Sequence, residues 1–72
     1  MFKANGRISI ITKGVIEGVA PEDNGAVAVT VDGVGYIVSN SKLIDKCKMS
    51  IGKEVKLEGY SSLGKLYASF IE

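Results

Sequence analysis

The stretch Val27-Ala28-Val29-Thr30-Val31-Asp32-Gly33-Val34-Gly35-Tyr36-Ile37-Val38-Ser39 decides the fold of this chain. Two alternating apolar runs flank Asp32-Gly33. Val27, Val29 and Val31 share one parity, and Ala28 and Thr30 take the other. A period of two over β-branched residues marks a half-buried strand. Asp-Gly between two such runs is a strong hairpin signal, because both central residues of a type I′ turn need φ > 0. Gly35, just after the turn, predicts a bulge or a close backbone approach.

Working outward toward the N-terminus, Ala20–Gly25 is a turn cluster punctuated by Pro21 and Asn24-Gly25. Arg7–Val19 before it is rich in β-branched residues, interrupted by Gly14 and Gly18. It reads as a long first strand bent at glycine, or alternatively as two short strands around Lys13-Gly14. Residues 1–6 read as a loose end.

Toward the C-terminus, Asn40–Met49 reads as a short helix. Asn40 or Ser41 caps it, Leu43, Ile44, Cys47 and Met49 form its apolar stripe, and Lys42, Lys46 and Lys48 face water. Ser50–Lys53 is a turn. Glu54–Tyr60 alternates cleanly, with Val55 and Leu57 inward. Ser61–Gly64 is a hairpin loop, and Lys65–Ile71 is a fifth strand that places Leu66, Ala68 and Phe70 in the core. The expected fold is thus all-β: one domain over residues 1–72, a small five-stranded OB-fold-like barrel with one short helix between strands three and four.

Seventy-two residues make a thin core, since a chain this short buries roughly 60% of its unfolded surface. One cysteine and no histidine leave neither a disulfide nor a Cys/His zinc site as a staple, so self-association is the remaining route to extra stability. The formal charge of +1 lacks the basic excess of many nucleic-acid binders. No apolar run reaches the roughly 18 residues of a membrane helix, and the start lacks a signal peptide's apolar stretch, so a cytoplasmic protein is expected.

At this point the residues resemble a known family. Val31-Asp32-Gly33-Val34-Gly35-Tyr36-Ile37-Val38 is similar to the Gly-Val-Gly-Tyr segment in the N-terminal OB-fold domain of the RuvA family of Holliday-junction branch-migration proteins. Gly14-Val15-Ile16 resembles that domain's first strand, Ile51–Leu57 its glycine-led fourth strand, and Leu66-Tyr67 its last. The likeness spans roughly residues 10–70. It implies an OB-fold and a tendency toward four-fold assembly. The physical part played by Gly33-Val34-Gly35-Tyr36 is structural: a turn, a tight approach and a ring packed on the barrel. The family carries an acidic Arg-Glu-Asp pin where this chain has Ser61-Ser62-Leu63-Gly64. Its DNA-gripping helix-hairpin-helix domain and motor-binding domain lie outside the resemblance, so those functions are not carried over.

Catalysis finds little support. Without histidine there is no His-based acid, base or triad. Cys47 lies between Lys46 and Lys48, but neighbouring helix positions point different ways, and a buried helix-face thiol is the expected state. The carboxylates are scattered, and Glu22-Asp23-Asn24 reads as a solvated turn and not a calcium loop. No enzyme, cofactor or metal is expected. Asp32-Gly33-Val34-Gly35 precedes a strand, which rules out a phosphate-binding loop.

Two binding surfaces are expected. A nucleic-acid surface would use Tyr36 as the stacking aromatic of strands two and three, with Lys46, Lys48, Lys53 and Lys56 as phosphate contacts. A protein interface would use Tyr60, Leu63, Tyr67 and Ile71 on the outside of the last hairpin. The expected function is a non-enzymatic binding module, either an oligomeric RuvA-like accessory in DNA recombination or a protein- or small-ligand/nucleotide-binding module, for instance a mobile-element decoy or inhibitor of a host complex. The expected partners are further copies of the chain, weakly bound branched or single-stranded DNA, or another protein, with no membrane.

Overall fold

The computed structural model describes residues 8–72. The expected loose end at residues 1–6, and Arg7, lie outside the described residues. The chain runs β1 (Ile8–Pro21), β2 (Val27–Val31), β3 (Val34–Val38), α1 (Ser41–Met49), β4 (Glu54–Ser62) and β5 (Lys65–Ile71). The strands close into a barrel in the order β1-β2-β3-β5-β4. It is a five-stranded, OB-fold-like architecture, with the α-helix of the described residues between the third and fourth strands.

β1 is one continuous strand that serves two neighbours. Ile8–Val15 pairs antiparallel with β4, from Ile8↔Ser61 to Val15↔Glu54. Ile16–Pro21 pairs antiparallel with β2. Between Ile16↔Val31 and Gly18↔Thr30 it carries one extra residue, Glu17, and this bulge bends the strand from one neighbour to the next.

The β2–β3 hairpin turns through Asp32 (φ 49°) and Gly33 (φ 81°), both in the left-handed region that a type I′ turn demands. Its register runs unbroken from Val31↔Val34 to Val27↔Val38. No bulge forms at Gly35, whose φ lies outside the left-handed region and where an added Cβ would meet nothing within 4 Å. Parity is therefore kept through the turn. Val27, Val29 and Val31 point inward from β2, and Tyr36 and Val38 point inward from β3.

The turn also folds against β1. Asp32 Oδ1 accepts from Val15 N–H at 3.3 Å, and Gly33 N–H donates to the bulged Glu17 Oε1 at 3.1 Å. Gly14 makes this possible: a Cβ there would collide with the Asp32 carboxylate.

Asn40 caps α1, its side-chain oxygen accepting from Lys42 N–H at 2.9 Å and Leu43 N–H at 3.2 Å. Cys47 is fully buried, with Leu43 and Ile44 packed against the core. Met49, expected on the same stripe, is instead 78% exposed at the last turn.

The core holds Ile16, Val29, Val38, Leu57 and Ile71, each essentially inaccessible. Each such burial contributes about 1.5–3 kcal/mol. No helix of the described residues is long and apolar enough to cross a membrane.

Candidate functional site

The structure separates the residues expected to bind nucleic acid. Tyr36 is 5% exposed and packs within the core. It has no free face for a base, which corrects its expected stacking role. The reason is the unbroken register after the turn. A bulge at Gly35 would have reversed parity and turned the ring outward.

Lys46 and Lys48 are exposed on α1, two positions apart and so on different faces of the helix. Lys53 is exposed in the turn before β4, and Lys56 faces outward from β4 opposite Lys13. The four lysines thus sit on three separate elements.

The β4–β5 hairpin divides the expected interface. Tyr60 and Tyr67 are cross-strand partners whose rings stack at 5.1 Å with 19° between planes. Leu63 forms the tip of a two-residue turn with φ 52° and is 98% exposed. Ile71 is the correction: it is 1% exposed and belongs to the core, while Phe70 is 46% exposed.

A bulge again sets the parity. Glu58 pairs with Phe70 and Gly59 with Ala68, so Ser69 is the extra residue, its Oγ donating to the Glu58 carbonyl at 3.2 Å. Strict alternation would have put Phe70 inside. With one residue inserted, Ile71 takes the interior. Gly59 permits the close crossing, since a Cβ there would strike the Tyr67 carbonyl oxygen. The outward Phe70 and Ile11, which is 71% exposed, are the register partners of Glu58 on either side of β4.

A feature absent from sequence reasoning is an open groove of about 520 Å³ where β3 approaches β5. Ala28, Val34, Gly35, Ile37 and Leu66 line it, with Glu22 and Lys65 at its margin. A second hollow of about 330 Å³ shares Glu22, Ile37 and Lys65 and adds Asp23, Ser39 and Tyr67. Ala28 of β2 and Val34, Gly35 and Ile37 of β3 line one side of the first groove, and Gly64, Lys65 and Leu66 the other. Among the described residues, Lys65 is the one basic residue of these two hollows against Glu22 and Asp23, and none of Lys46, Lys48, Lys53 or Lys56 lines them. The one available signal was Gly35, which sits mid-strand where a side chain would ordinarily pack.

The chemistry elsewhere is sparse. Burial pushes the Cys47 thiol above its ordinary pKa, against a smaller downward pull from Lys46, which favours the unreactive protonated form. Among the described residues, no three acidic or cysteine side chains gather as a metal site. Comparison with family models, curated proteins and solved structures finds no match for the chain.

Proposed function

We propose that this barrel is a non-enzymatic binding module whose partner is a protein, with nucleic acid in second place. The observation that carries this is the outer surface around β3, β4 and β5. It combines the Tyr60–Tyr67 stack, a fully exposed Leu63 and an outward Phe70 with a groove whose described lining is more acidic than basic. An exposed apolar surface of this kind on a small domain marks an interface. A polyanion gains affinity by releasing counterions to clustered lysines, and the lysines here are dispersed. Self-association through the Tyr60, Leu63 and Tyr67 surface is one form of this reading, and it supplies a thin core with cover.

The second reading is a RuvA-like accessory in DNA recombination. It draws on the Val31–Val38 resemblance and on the exposure of Lys46, Lys48, Lys53 and Lys56. One experiment separates the two: sedimentation of the protein together with titrations against branched, single-stranded and duplex DNA and nucleotides at low salt. The protein reading expects a concentration-dependent mass, or a monomer, and no DNA binding. Branched-DNA binding that falls steeply with salt, and that is abolished by joint Lys46→Glu, Lys48→Glu and Lys53→Glu substitution, overturns it in favour of recombination.

A further inference from the structure

The β3–β5 seam is the one junction of the barrel made by parallel strands, and its register holds a single pair, Ile37↔Tyr67. In an antiparallel hairpin with a two-residue turn, the residues flanking the turn exchange backbone bonds, and alternate pairs do so thereafter. Val34, Tyr36 and Val38 therefore bond to β2, while Gly35 and Ile37 aim N–H and C=O toward β5. Ile37 meets its partner there. Gly35, one step nearer the turn, has no registered partner in β5 among the described residues.

Gly35 has no steric reason within the fold. Its φ is ordinary, its register is regular, and a Cβ added to it meets nothing within 4 Å. A glycine inside a strand costs about 0.5–1 kcal/mol relative to alanine. Such a residue marks a bulge, a bend, or the close approach of a ligand or another backbone. The structure removes the first two. What remains is an approach from outside, in the groove of about 520 Å³ that Gly35 lines.

We propose that the groove beside this seam receives an extended polypeptide segment, whose backbone pairs with Gly35 as a short added strand. The inference rests on the protein-binding reading and names its occupant. Three observations favour a peptide over other ligands. The backbone groups of Gly35 match an extended chain, which offers N–H and C=O along one edge. Ala28, Val34, Ile37 and Leu66 give apolar seats for one face of such a segment. Among the described residues Glu22 and Asp23 outnumber Lys65, an acidic balance that repels a polyanion and attracts a basic side chain. The segment is short, because the Ile37↔Tyr67 pair closes the seam at one end.

The test uses isotope-labelled protein and the blocked pentapeptide acetyl-Val-Arg-Val-Arg-Val-amide at millimolar concentration. In the free protein the Gly35 amide exchanges fast while Ile37 is protected. With peptide, shifts concentrate at Gly35, Ile37 and Leu66, and Gly35 exchange slows. An N-methylated peptide, unable to pair, produces no such change. The Cβ of Gly35→Leu enters open space, so the variant leaves the melting temperature unchanged or raised while weakening the peptide about tenfold or more. A protected Gly35 amide in the free protein overturns the proposal, as does the absence of shifts at the groove. So does oligothymidylate producing the same shifts, since the occupant would then be a nucleic acid. Peptide binding lost in Leu63→Ser but kept in Gly35→Leu places the contact on the hairpin tip. That outcome overturns this site while leaving the protein-binding reading standing.

Discussion

The β2–β3 and β4–β5 hairpins are closed by the same device and use it differently. Both turn through a two-residue loop with positive φ at each position, Asp32-Gly33 in one and Leu63-Gly64 in the other. In the first, the residue types suit the geometry and the turn is integrated into the barrel, with Asp32 and Gly33 bonded to Val15 and Glu17 of β1. In the second, a leucine occupies a conformation that disfavours it and its side chain stands in solvent. The first hairpin keeps strict alternation; the second breaks it at Ser69. One turn thus serves the fold, and the other carries an apolar group that the fold does not use. Backbone strain spent on an exposed side chain points to a role outside the chain.

The largest expected effect lies at the crossing that makes the second hairpin irregular. Gly59→Val drives a side chain into the Tyr67 backbone, which has no freedom to yield inside the ladder. A loss of about 3 kcal/mol or more is expected by chemical denaturation. A near-normal midpoint would mean that the Ser69 bulge is adjustable, and the contrast with the first hairpin would shrink.

Gly33→Val tests the regular turn. A β-branched residue at φ 81° opposes the left-handed conformation and should cost about 2 kcal/mol. An unchanged melting temperature would break the type I′ assignment. Asp32→Ala, measured the same way, asks whether the turn is truly tied to β1. It removes the acceptor for Val15 N–H and should cost about 1 kcal/mol. Equal loss from Leu63→Ala would erase the distinction drawn between the two tips.

The smallest expected effect has the opposite sign. Leu63→Asn suits φ 52° and touches nothing buried, so it should stabilise the monomer by about 0.5–1 kcal/mol. If the leucine serves an interface, the same variant loses association in sedimentation while gaining thermal stability. Destabilisation instead would show that Leu63 packs within its own chain.

Most of the architecture was legible because its signals are local. Alternation in Val27–Val31 and Glu54–Leu57, the Asn40 cap and the Asn24-Gly25 and Asp32-Gly33 turns all act within a few residues. Their order alone yields the five-stranded barrel with its helix after the third strand. Parity at Phe70 and Ile71 was not legible. It depends on a bulge in the β4–β5 pairing, beside the close crossing of Gly59 and Tyr67, which joins residues on different strands. Tyr36 turned inward for the complementary reason: a glycine that invites a bulge does not create one without a crossing strand. The groove was hidden altogether, because β3 and β5 approach each other only after the helix and a whole strand have intervened.

The divided loyalty of β1 bears on how the chain reaches this state. Its second half can pair with β2 as soon as the Pro21–Val27 turn exists, a nearby and inexpensive closure. Its first half must wait for β4, joining Ile8 to Ser61 across most of the chain. Long-range antiparallel pairing of this kind slows folding, because the entropy of closing the loop is lost before the contacts that repay it are made. During synthesis the stretch holding Ile8, Ile10 and Ile11 therefore emerges well before its partner β4 and waits for it. For that interval it is an unpaired apolar strand, the segment of the nascent polypeptide most exposed to aggregation or to capture by a chaperone.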